Sequence, residues 1–402
     1  MWHALAAIFF FALPSLQSAV PKKFAPLKFA KDGTFQISIL EDLHFGENAW
    51  DTWGPEQDVN SVTVINRVLD TESPDLVVLN GDLITGNNAF LENSTVYIDE
   101  IVGPLVDRGL TWASTYGNHD SAYNLSREAM LAREHRWPNS RTEQMVFGRE
   151  AGVSNYYLPV YGSDDQDSTF FDSRGGFYFQ ELDSSGNEIG QPNWVDVSVV
   201  DWFKKTNAEF IQKYQKNIPS LVFVHIPTNA SLAAQTEVGI NPHREPGIND
   251  DYTLAQQGQG WCADGSDASS CTYGGQDVPF MEALVNTPGV LAVFSGHDHG
   301  DTWCYKWDSL ISGMNVKGNG VNLCFGQHSG YGGYGSWIRG SRQVLVTEAK
   351  LKNKVIDSWI RLESGHVVGA VSLNPTYGED SYPETPDLLS SCPTCNYTLA
   401  SK

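Results

Sequence analysis

The sequence predicts an α/β fold built on a largely buried sheet, and three observations lead there. Short continuous apolar runs of strand length recur along the chain, the early ones alternate with segments of helical periodicity, and each run ends on a polar cluster. Continuous runs of this kind fit strands covered on both faces, alternation with helices indicates crossover-connected strands, and ligands in such sheets gather beyond the carboxyl ends of the strands.

Taken in order, Phe35–Leu40 runs into Glu41-Asp42-Leu43-His44, and 75–79 (DLVVL) runs into Asn80-Gly81-Asp82. Leu110–Thr115 leads to Tyr116-Gly117-Asn118-His119-Asp120, Ser220–Val224 to His225, and Gly289–Phe294 to Ser295-Gly296-His297-Asp298-His299. Between the first strands, 59–70 puts Val62, Ile65 and Leu69 on one helical stripe, and 96–107 reads the same way. Residues 226–280 and the Gly- and aromatic-rich stretch 313–340 read as elaborations at the ligand end.

The formal charge is −22 with 41% hydrophobic residues. A chain of this composition folds around a substantial core, and its negative field makes nucleic acid and anionic membranes poor partners. Residues 1–19 read as a secretory signal, with a weak n-region whose one candidate charge is His3, the apolar run Ala4–Leu13, then Pro14 and the small residues Ser18 and Ala19. The alternative, an N-terminal anchor helix, is disfavoured by the shortness of the run. Sequons at Asn93, Asn124, Asn229 and Asn396 agree with export. So does the even count of cysteines, for which pairing of sequence neighbours (262–271, 304–324, 392–395) is the simplest of fifteen connectivities. Cys392-Pro-Thr-Cys395 could be redox-active, but its Pro/Ser-rich surroundings favour a structural bridge.

The polar clusters carry the chemistry. Asp42, His44, Asp82, Asn118, His225, His297 and His299 offer carboxylate, amide and imidazole donors suited to Zn, Mn or Fe. Residues i and i+2 of a strand share a face, which predicts that Asp42 and His44 approach one ion together, as do His297 and His299. Gly81, Gly117 and Gly296 beside them fit turns where backbone must come close. Singly each piece has an ordinary reading, His225 as a core histidine and Asp42-x-His44 as a surface pair. Their order and their shared position at strand ends argue for a site.

The ordered set resembles the calcineurin-like metallophosphoesterase family, which includes purple acid phosphatases, and within it a fungal and plant branch holding the yeast phosphatase Dcr2 and plant proteins like purple acid phosphatase 29; residues 326–335 (GQHSGYGGYG) add to that likeness. The resemblance implies a two-sheet β-sandwich flanked by helices (αββα) over residues 20–375, with 376–402 as a Pro/Ser/acidic tail. It implies two metal ions, one held by Asp42, His44, Asp82 and His299 and the other by Asp82, Asn118, His225 and His297. His119 would be the catalytic histidine, positioned by Asp120, with orientation of a metal ligand as its other reading. The chain departs from purple acid phosphatases at Thr85, where their iron-binding Tyr stands three residues after the bridging Asp, so their colour and an Fe(III) requirement are not expected. The implied activity is a secreted phosphomonoesterase working by attack of a hydroxide between the ions, with a phosphodiesterase on the same centre, or a scaffold without turnover, as alternatives. His328, Arg339 and Arg342 are candidate substrate contacts, beside a loop-packing reading for the arginines.

Overall fold

The computed structural model describes residues 25–390 apart from 87–88, 90–93, 122–124, 149, 164–167, 176–180, 183–187, 190–191, 252–254 and 269. The expected signal, the sequons at Asn93, Asn124 and Asn396, and Cys392 and Cys395 therefore lie outside the described residues.

In chain order the elements are β1 (Leu27–Lys28), β2 (Thr34–Leu40), α1 (Trp53–Thr71), β3 (Leu76–Asn80), α2 (Tyr97–Asp107), β4 (Trp112–Thr115), α3 (Arg127–Glu134), β5 (Ser154–Tyr161), β6 (Ser168–Gly175), β7 (Glu181–Leu182) and β8 (Glu188–Ile189). They continue with α4 (Val197–Tyr214), β9 (Ser220–Phe223), α5 (Asn229–Ala233), α6 (Val278–Asn286), β10 (Val290–Ser295), β11 (Cys304–Trp307), β12 (Val321–Phe325), β13 (Gly340–Thr347), α7 (Glu348–Leu351), β14 (Ile356–Leu362) and β15 (Val367–Leu373).

Two mixed sheets carry the fold. One has six strands in the order β15-β14-β13-β2-β3-β4, the other seven in the order β1-β5-β6-β9-β10-β12-β11. The strand period of two divides each run between two cores. Leu76 and Val78 of β3 join Leu221 and Phe223 of β9 and Phe294 of β10 in the layer between the sheets. Val77 and Leu79 face outward to α1 and α2, while Val222 and Val293 face α4 and α6. This double coverage explains why the strands read as unbroken apolar runs. The arrangement is the expected αββα sandwich.

One sequence expectation changes. The stretch 313–340 is more than an elaboration, since Val321–Phe325 is a fully buried strand parallel to β10. The tail is packed as far as Ser390, with Tyr377 buried and Ile338 N donating to Leu388 O. Cys262–Cys271 and Cys304–Cys324 are disulfides, the second joining directly opposite residues of β11 and β12. Asn229 opens α5 and is half-buried. No helix among the described residues is long and apolar enough to cross a membrane.

Candidate metal centre

β2, β3 and β4 run parallel in one sheet, and β9 and β10 run parallel in the other. All five release their chains at the same end of the sandwich, and the polar clusters meet there. Asp42, His44 and His299 bring one ligand atom each to within 4.8 Å of one another, as do Asp82, His225 and His297. Each group draws on both sheets: Asp42, His44 and Asp82 follow β2 and β3, whereas His225, His297 and His299 follow β9 and β10. The predicted pairing of His297 with His299 on one ion is therefore corrected; they belong to different groups.

The backbone explains the split. Asp42, His44, Asp82 and His297 all have positive φ, between 49° and 75°, and they are four of seven such non-glycine residues described. Left-handed backbone is unfavourable for residues with a Cβ and persists where surroundings enforce it. Here the enforcement is a ladder between loops: Leu43 N and His44 N both donate to Asp82 O, at 2.8 and 2.9 Å. Asp42 and His44 thus converge through turns rather than through strand alternation. Gly117 is required by close approach, because a Cβ there would stand 2.2 Å from Asp82 Oδ1.

Three imidazoles have Nδ1 engaged. His225 Nδ1 lies 2.9 Å from Asn80 O, His299 Nδ1 2.7 Å from Tyr334 O, and His44 Nδ1 3.0 Å from Thr85 Oγ1. With the proton on Nδ1, each Nε2 lone pair is free to face a cation. The Nε2 atoms of His225, His44 and His299 lie 3.0, 3.8 and 3.5 Å from oxygens of Asp82, Asp82 and Asp42 respectively. His44 Nε2, His225 Nε2 and Asn118 Oδ1 are buried without a hydrogen-bond partner. Buried polar atoms are normally paired, so two orphaned imidazole nitrogens beside the Asp82 carboxylate, with a third orphan on Asn118, fit a pair of cations. Imidazole, carboxylate and amide oxygen suit Zn, Mn or Fe.

Charge placement agrees. Burial opposes ionisation of Asp82, but His225 and His119 beside it hold its carboxyl well below the usual range. Burial also works against a proton on His225, yet Asp82 and Asp42 raise that imidazole to about 10, whereas burial lowers His44 and His297 to about 3. The cluster attracts positive charge.

His119 sits half-buried at the rim, its ring 5.0 Å from that of His44, and its N donates to Asp82 Oδ1 at 2.8 Å. Asp120 acts on this turn through backbone: its carboxylate accepts from Leu83 N, Ile84 N and Gly117 N at 2.8, 2.9 and 2.7 Å. It ties the loop carrying Asp82 to the loop carrying His119.

The candidate substrate contacts His328, Arg339 and Arg342 are all buried within the protein, the arginines in the loop-packing role that the sequence also allowed. His328 packs against His299, ring centroids 3.8 Å apart and planes tilted by 40°. Arg339 donates to the carbonyls of Gly330, Trp337 and Gly335, and Arg342 to Phe325 O, Thr302 O and Ser358 Oγ. Carbonyls of the Gly-rich loop thus occupy the donors of Arg339, and two other carbonyls with a serine hydroxyl occupy those of Arg342. Sequence reasoning missed Tyr334, whose ring lies 4.0 Å from that of His299 and nearly parallel to it; its place in a Gly-Tyr-Gly-Gly-Tyr-Gly run was the available signal. It also missed the service of Thr85 to His44.

A family model described as calcineurin-like phosphoesterase matches residues 42–301. Similar proteins include two from Arabidopsis thaliana. Probable inactive purple acid phosphatase 28 is 28% identical over 378 residues, covering 85% of this chain and 84% of that one. Probable inactive purple acid phosphatase 29 is 26% identical, covering 85% of each. Phosphatase DCR2 of Saccharomyces cerevisiae is 26% identical over 82% of this chain and 54% of its own length. Among solved structures, a dimetal phosphatase from Danio rerio superposes with a TM-score of 0.47 at 13% identity, over 85% of this chain and 98% of that one.

Proposed function

Because the chain belongs to the calcineurin-like phosphoesterase family, we propose that it is a secreted dinuclear-metal phosphatase acting on phosphomonoesters. The observation that carries this reading is the pair of buried ligand groups spanning both sheets, with orphaned Nε2 atoms turned inward. In the proposal Asp42, His44, Asp82 and His299 hold one ion, Asp82, Asn118, His225 and His297 hold the second, and Asp82 serves both. Two bound ions would supply a water activated near neutral pH and neutralisation of phosphoryl charge.

The remaining work falls to side chains of the rim. His119, half-buried on the loop pinned by Asp120, gives a proton to the departing alkoxide. Asn118 Oδ1, buried and unpaired, offers its amide oxygen to the second ion. The packing of His328, His299 and Tyr334 fixes one wall of the site, so bound phosphate meets a prearranged set of donors. Export is supported by the two disulfides, which persist in oxidising compartments.

A second reading is a metal-holding scaffold without turnover, favoured by the word inactive in the names of the Arabidopsis relatives. One experiment separates them. The purified protein is analysed for metal, then assayed on p-nitrophenyl phosphate and bis(p-nitrophenyl) phosphate with Mn, Zn or Fe. The proposal expects two ions per chain and faster monoester hydrolysis. Two ions with no turnover on either substrate would leave the scaffold, and faster diester hydrolysis would make it a diesterase.

A further inference from the structure

At the end of the sandwich opposite the metal centre, a cleft of about 870 Å³ opens between the two sheets. Its walls come from the amino ends of β9, β10 and β12 and from the segments that leave β13 and β15. β10 runs from this cleft at Val290 toward His297, so the two ends are separated by roughly 20 Å at about 3.3 Å per strand residue.

The charge of the cleft runs against that of the molecule. The chain carries −22 with 26 basic residues, yet the charged residues lining the cleft are Lys216, Lys306, Lys352 and Lys354 against one acid, Glu348. That acid is already engaged, its oxygens accepting from Ser163 N at 2.8 Å and Ser163 Oγ at 2.7 Å. The Lys306 ammonium donates to Pro375 O, which uses one of its three donors. Between the lysines stand the amides of Asn217 and Asn319, and the floor is apolar, with Phe29, Pro288 and Leu291. Lysines outnumber acids around this one concavity, and an anion in their midst would be favoured.

We propose that this cleft is a second binding site, for a small organic anion bearing two or more negative charges on a ring-bearing body, of the nucleoside diphosphate type. The lysines receive the anionic groups as point charges, and the amides and apolar floor receive the body. Size favours a small molecule, because the volume lies within the range of small-ligand pockets, about 300–1,000 Å³. The overall negative field disfavours an anionic polymer.

The test uses the full chain and α,β-methylene-ADP, whose methylene bridge removes the cleavable phosphoanhydride. Lysine acetylation is read residue by residue by mass spectrometry, which separates this cleft from any binding at the metal centre. The expected result is protection of Lys306, Lys352 and Lys354, with exposed Lys205 labelled as before. In Lys352→Glu/Lys354→Glu, whose melting temperature is checked against the parent, the dissociation constant for the cleft rises by about tenfold or more, equivalent to about 1.4 kcal/mol. A second variant, Lys306→Gln, is expected to weaken binding in the same direction. Unchanged labelling with the nucleotide, or unchanged affinity in both variants, overturns the site. Equal protection by methylenediphosphonate alone overturns the role given to the apolar floor.

Discussion

The Thr85 hydroxyl lies 3.0 Å from Nδ1 of His44, and Nε2 of that ring lies 3.8 Å from Asp82 Oδ2. The position that sets this chain apart from purple acid phosphatases thus has work of its own, orienting an imidazole of the metal centre.

Thr85→Val keeps the shape of the side chain and removes the hydroxyl. Loss of such a partner to a metal-bound histidine typically weakens metal affinity about 10–100-fold. The variant is expected to lose metal to a competing chelator at correspondingly lower chelator concentration, while Thr85→Ser retains most of the affinity. Equal metal retention in parent and Val variant would remove this role.

His119 and Asp82 separate chemistry from metal holding. His119→Ala is expected to keep two ions per chain while turnover of p-nitrophenyl phosphate falls about 10²–10⁴-fold, the usual worth of a general acid. Asp82→Ala is expected to lose both metal and turnover. Elemental analysis beside the rate assay checks the pair, and His119→Ala with parental rates would sink the acid role.

Asp120→Ala leaves the buried amides of Leu83, Ile84 and Gly117 without an acceptor. Each buried unsatisfied group costs about 1–3 kcal/mol. A drop of several kcal/mol in urea unfolding is therefore expected, with a smaller one for Asp120→Asn, which keeps one acceptor oxygen.

Asp58 sets a pH dependence away from the ligands. It is buried on α1, with its oxygens 3.1 and 3.2 Å from Gly46 N, and burial, aided by Glu100 and Glu47, lifts its carboxyl to about 8. The unfolded chain releases this proton near the ordinary carboxyl value of 3.8, so the folded state holds it longer. Its contribution is full below about 4 and is lost as pH rises toward 8. Asp58→Asn mimics the neutral acid, so its stability advantage over the parent should widen between pH 4 and 8, up to a few kcal/mol. A constant difference across that range would contradict the shift.

The layout of strands and ligands was legible because burial on both faces leaves unbroken apolar runs such as 75–79, and because parallel strands deliver their termini to one end. Grouping was legible through the family resemblance but not through strand alternation. Asp42, His44, Asp82 and His297 leave the strand conformation for left-handed backbone, and a two-residue period says nothing about side-chain direction there. Arg339 and Arg342 offered only their charge in the sequence; the acceptors that consume it are peptide carbonyls, which no residue pattern displays. Val321–Phe325 was hidden inside a Gly-rich stretch whose glycines serve its neighbouring loops.

Each ligand trio takes members from both layers of the sandwich. A cation seated there would act as a rivet, adding to the apolar packing and the few hydrogen bonds that already join the sheets. Metal exchange should then track the slow separation of the layers rather than local fraying, so a half-molecule containing one sheet would hold neither ion.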